Sequence, residues 1–155
     1  MVRIIRTIAG VLAGIILISV LVEGIEFGLV ALLHGEKTTD PDLYYSIRNQ
    51  TWSLALKLVY NTLAAIIGGF GTALIAGYEH RKHGIALAIL QTLSFGYALT
   101  QPEISKWTPA WMWFSLIFLS FVGIIFGSHI QSRRQASNKG KLSETIIAFP
   151  LSKEL

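Results

Sequence analysis

Residues Thr7 to Leu33 read TIAGVLAGIILISVLVEGIEFGLVALL, an apolar run in which only Glu23 and Glu26 carry charge. As a helix this run is about 40 Å long, more than the roughly 30 Å hydrocarbon core of a bilayer. It decides the fold class, because no small soluble core buries so long an all-round apolar helix. Three further apolar runs follow, at about Trp52–Tyr78, Gly84–Leu99 and Pro109–Ile130. Charged residues make up 14% of the 155 residues, against about 25% in soluble domains. Mean hydropathy is +0.55. The expectation is an all-α chain, an antiparallel bundle of four transmembrane helices forming a single membrane domain over residues 1–155. The connectors use up what remains, leaving no room for a soluble catalytic domain.

Arg3 and Arg6 before the first run resemble the start of a signal peptide, but the apolar stretch is too long and no Ala-x-Ala site follows Val22. An uncleaved first helix is expected. The third run, 84–99, is the shortest and would stand nearly upright in the bilayer.

Orientation follows from Lys and Arg. Nine lie on one side: Arg3 and Arg6, then Arg81 and Lys82, then the five in the 131–155 tail. Only Lys37, Arg48 and Lys106 lie on the other, while Lys57 falls inside the second run. The positive-inside rule predicts both termini in the cytoplasm of a bacterium, the bundle in its inner membrane, and the 35–51 connector outside. Tyr44, Tyr45, Trp52, Trp107, Trp111 and Trp113 gather at the outer boundary, where amphipathic rings prefer to sit. The basic residues touch lipid headgroups rather than nucleic acid.

Within the outer connector, Thr38–Thr39–Asp40–Pro41–Asp42 predicts a turn, with Asp40 or Thr39 capping a short interfacial helix from Pro41. The tail is expected to be polar and irregular, with a brief helix opened by Ser143 and Glu144 and ended by Pro150.

Zero cysteines exclude thiol–disulfide exchange, iron–sulfur ligation and thiolate zinc sites. No Walker, Rossmann, Ser–His–Asp or zincin pattern occurs, so no enzyme and no cofactor is predicted. His80, His83 and His129 gather at the inner span ends and are lesser candidates for a metal or for lipid chemistry at headgroup level. The positive charge of Arg81 and Lys82 opposes a cation there.

Ionisable groups inside a bilayer cost a few kcal/mol each, about 2.5–3.5 on insertion scales. Glu23 and Glu26 share one helical face. Counting about 1.5 Å per residue from the outer boundary puts Glu26 level with Lys57. Glu23 then lies level with Tyr60, Asn61 and Gln91. The first reading is of interhelical fasteners. The competing reading is a proton or cation site with Glu23 as the titrating group, since low dielectric favours an uncharged carboxyl.

Small residues are dense. Gly10 and Gly14, Gly24 and Gly28, and Gly123 and Gly127 are spaced as Gly-x-x-x-Gly, and Gly68 sits in an Ala/Gly-rich second run. Such faces let helices approach closely. Gly10 and Gly14, far from any polar group, are offered as a face for an external partner.

Several of these features together resemble a widespread group of small bacterial four-helix membrane proteins that carries no assigned activity. They are Val22–Glu23, Asp40–Pro41–Asp42, the run from Gly68–Gly69 to Ala76–Gly77, and Pro109-x-Trp111. Where a His often precedes that Pro, this chain has Thr108. The resemblance implies the four-helix fold and the membrane location. Small multidrug exporters also carry a lone Glu in a first helix of four, but are shorter and pair opposed subunits without this charge bias.

The function expected from sequence is a non-enzymatic accessory or scaffold subunit, packing against other membrane proteins or itself. The alternative is a small proton- or cation-coupled transporter or channel using Glu23 and Glu26.

Overall fold

The structure, a computed structural model, describes residues 2–35, 40–106 and 108–148, with the side chains of 103, 104 and 139–148 excepted. The described residues are almost wholly helical: α1 Val2–His34, α2 Pro41–Arg48, α3 Thr51–Ala76, α4 His80–Thr100, α5 Pro102–Ser105 and α6 Ala110–Ala148. Lys37, Thr38, Thr39, Trp107 and Pro150, which figure in the expectations above, lie outside the described residues.

Three helices are long and apolar enough to cross a membrane: α1, α3 and the 110–138 part of α6, with mean hydropathies of 2.5, 1.7 and 2.0. These make the chain a membrane protein. The expected third span does form a helix, α4, but it is not one of the three. Its 21 residues include His80–Arg81–Lys82–His83 at one end and Gln91, Thr92 and Ser94 in the middle, which dilutes the apolar run. The other correction is at the C-terminal end. The helix expected to stop near Ile130 continues without a break to Ala148, because nothing between Gln131 and Ala148 is a proline or a strong helix breaker in pair. The expected separate tail helix is its last part.

Local chemistry accounts for the helix ends. Asp40 caps α2, its carboxylate accepting from the Asp42 backbone N–H at 3.0 Å, with Pro41 in the first turn. Gly77 closes α3 at φ 73°, the left-handed position where a side chain is strained. Glu79, also left-handed at φ 39°, completes a turn so short that α4 must fold back along α3.

Close contacts set the packing. On α1, Gly10 faces the Thr72 carbonyl and Ala76, and Gly14 faces Thr72 and Leu87, while Gly68 of α3 receives Ile18. The two helices therefore run antiparallel with backbones nearly touching. Gly69 sits on the Ile124 backbone, Gly123 on the Thr62 carbonyl, and Gly127 on the Ile66 carbonyl and Phe70 amide, so α6 runs parallel to α3. Gly84 of α4 meets Ser128 of α6, and Phe95 meets Trp113 edge-on. Gly10 and Gly14 thus pack inside the molecule rather than on a partner face. Gly24 and Gly28 do the reverse: among the described residues, neither has an atom of another helix within reach of a side chain. One apolar core holds Val11, Ile18, Ala65, Leu87 and Ile124, and a second holds Leu54, Met112, Trp113 and Leu116.

Candidate functional site: a polar chamber between α1 and α4

Past the close contacts of Gly10 and Gly14, α1 and α4 no longer fill the space between them. A cavity of about 300 Å³ opens there. It is lined by Glu23 and Glu26 from α1, Tyr45 and Arg48 from α2, Lys57 and Asn61 from α3, Gln91, Ser94 and Phe95 from α4, and Trp113 from α6. Five helices contribute, with α2 lying as a strap across one end.

The chamber wall is built around Glu26. Only 3% of Glu26 and 4% of Lys57 is exposed, so both charges depend on protein partners. Glu26 Oε1 lies 3.0 Å from Lys57 Nζ and accepts from the Tyr60 hydroxyl at 2.8 Å. Its Oε2 lies 3.1 Å from Arg48 Nε. Lys57, Tyr60 and Asn61 reach this spot together because they lie three and four residues apart on one face of α3. Arg48 arrives because the Asp40 cap starts α2 where its last turn overlies α1. Two cations therefore share one carboxylate.

Glu23 has a different environment. It lines the same chamber, is exposed, and among the described residues makes no hydrogen bond or ion pair. Asn61, expected to meet it, instead donates to the Lys57 carbonyl of its own helix at 2.9 Å. Gln91 is half-buried in the chamber wall without joining Glu23. Counting along helices places residues at the same depth but does not say which way each side chain turns.

Arg48, Tyr45, Phe95 and Trp113 were not among the expected site residues. The sequence puts Tyr45 at the outer boundary and counts Arg48 as a connector charge, and the amphipathic pattern of α2 is the signal it offers for either. Tyr44, beside Arg48 on α2, has its phenol pushed above the usual value, first by burial and then by the negative charge of Glu26.

At the opposite end of the molecule the histidines do not converge. His80 donates through Nδ1 to the Ala73 carbonyl at 2.8 Å, and its Nε2 meets the Gln135 side chain. His83 donates to the Glu79 carbonyl at 3.1 Å and holds Thr7 Oγ1 at 2.9 Å through Nε2. His129 accepts from Arg81 at 3.2 Å. Among the described residues no group of three or more potential metal ligands forms. The Thr7 hydroxyl also meets the Tyr78 hydroxyl at 2.6 Å, so His83 and Tyr78 serve to fasten α1 to the α3–α4 turn. Nearby, the Glu79 carboxyl is held below the usual carboxylate range by its hydrogen bond from Lys82.

No family model, curated protein or solved structure matches the chain.

Proposed function

We propose that the chain is a small proton- or cation-coupled transporter of the bacterial inner membrane, with the polar chamber as its site and Glu23 as its titrating group. The observation that carries this reading is the contrast between the two carboxylates. Glu26 is locked by Tyr60, Lys57 and Arg48, whereas Glu23 borders the same chamber and, among the described residues, makes no hydrogen bond or ion pair. A fastener would be satisfied on both sides. An intramembrane carboxylate left without a partner beside a cavity is the arrangement a proton or cation pathway requires.

In this reading α4 is the fourth span, both termini are cytoplasmic, and α2 lies on the outer surface. At about 1.5 Å per residue the 21 residues of α4 are long enough to cross, and its polar residues Gln91 and Ser94 are turned to the chamber. The test is flux in proteoliposomes: a pH or monovalent-cation gradient drives a current through the wild type that Glu23→Gln removes while the protein stays folded.

A second reading, an accessory subunit of a larger assembly, is favoured by Gly24 and Gly28. Among the described residues, no other helix comes within reach of this Gly-x-x-x-Gly pair on α1. Native mass spectrometry of the gently solubilised protein distinguishes it, by a stable complex that Gly28→Leu disperses.

A further inference from the structure

The charges of the chamber are arranged in two poles, and this constrains what fits between them. At one pole, Arg48 and Lys57 share the single carboxylate of Glu26, which leaves one positive charge in excess. Glu26 lies 3.0 Å from the Lys57 ammonium and 3.1 Å from the Arg48 Nε, whose N–H is not aligned on it, so donors remain on both cations. At the other pole, one helical turn along α1, Glu23 supplies one negative charge that makes no ion pair among the described residues, within electrostatic reach of Lys57. The chamber as a whole is neutral but polarised. A coupling proton or cation on Glu23 satisfies only one pole, and a simple anion on Arg48 and Lys57 only the other.

We propose that the chamber takes a small zwitterion, an α-amino acid with an apolar side chain, its ammonium on Glu23 and its carboxylate on Arg48 and Lys57. Both poles are then satisfied at once by charge-assisted hydrogen bonds, the strong kind in a low-dielectric site. Phe95, Ala98, Trp113 and Leu116 form an apolar part of the remaining wall, beside the polar Asn61, Gln91 and Ser94, and receive the side chain. A volume of about 300 Å³ lies at the small end of ligand pockets, which suits a single amino acid and excludes a peptide. This assignment names the solute of the transporter reading above and rests on it.

The test is binding to the full chain in nanodiscs of anionic lipid, followed by thermal shift and calorimetry. The probes are L-leucine and L-phenylalanine, with two analogues of leucine that each lack one charge: 3-methylbutylamine and 4-methylpentanoate. O-phosphoethanolamine represents a zwitterionic lipid headgroup. The expected result is binding of an amino acid with neither analogue competing at equal concentration, and about tenfold or greater weakening by Glu23→Gln. Equal binding of the amine, or of the carboxylate, overturns the two-pole assignment. Preference for O-phosphoethanolamine overturns the amino acid in favour of a lipid headgroup. Failure of both amino acids to bind, in a protein whose gradient-driven flux still depends on Glu23, overturns the zwitterion alone. Absence of both binding and flux overturns the transporter reading as well.

Discussion

Glu26 Oε1 and Lys57 Nζ lie 3.0 Å apart across α1 and α3, with both side chains almost entirely withdrawn from solvent. Neither is tolerable there alone, but they are not equally placed. Glu26 also holds Tyr60 and Arg48, so its removal leaves two cations without their shared carboxylate.

Glu26→Gln is therefore expected to destabilise the fold by about 3 kcal/mol or more, the cost of stranding buried charge. Lys57→Met leaves Glu26 with Arg48 and Tyr60, and a smaller loss of about 1 to 2 kcal/mol is expected. Thermal unfolding of both variants in one detergent measures the order. Equal losses would mean that Arg48 contributes nothing to holding Glu26.

The glycines separate contacts within the chain from surfaces left for others. A methyl group at Gly127 runs into the Ile66 carbonyl, so Gly127→Ala pushes α6 from α3 and costs about 1 to 3 kcal/mol. At Gly28 a methyl group meets open space. Gly28→Ala should hold stability or raise it by up to about 1 kcal/mol through helix propensity. The two variants compared by thermal unfolding show whether the α3–α6 contact is as close as described.

Tyr44 gives a pH signature on the strap. Burial and the charge of Glu26 raise its phenol pKa in the fold. A group with a raised folded pKa contributes stability that is complete below its unfolded value and is lost as pH rises through the folded one. The docking of α2 should thus hold at neutral pH and weaken only under alkali, above the ordinary tyrosine range near 10. The ultraviolet phenolate absorbance of wild type minus Tyr44→Phe follows it. A Tyr44 that ionises with the free tyrosines would mean that α2 is not seated on Glu26.

Much of the fold was legible because periodicity and charge act over long stretches: the α1 and α3 runs, the Asp40 cap and the Glu26–Lys57 level all follow from counting. What counting misses is rotation and dilution. Asn61 lies at the depth of Glu23 yet turns to its own backbone. Gly24 and Gly28 have the same spacing as Gly10 and Gly14, but only the latter meet α3. The polar stretch from Gln131 to Lys141 gives no apolar periodicity that would join the fourth run to the helix expected from Ser143, and the role of Arg48, a connector charge in the sequence, depends on where α2 comes to rest.

The absence of cysteine makes orientation directly measurable. A single cysteine at exposed Ser46 is expected to react with an impermeant maleimide on intact cells, and one at exposed Asn138 only after lysis. The reverse pattern would invert the bundle, and reaction of both on intact cells would place the two sites on one side.

The most direct measurement of the central claim is infrared difference spectroscopy of the reconstituted protein, taken between acid and alkaline conditions in which it stays folded. It reads the protonated-carboxyl stretch of individual glutamates. The account predicts a band that appears on acidification, disappears in Glu23→Gln, and persists in Lys57→Met. A band that survives Glu23→Gln and vanishes only with Glu26→Gln would contradict it, because the titrating carboxyl would then be the one the structure holds in ion pairs.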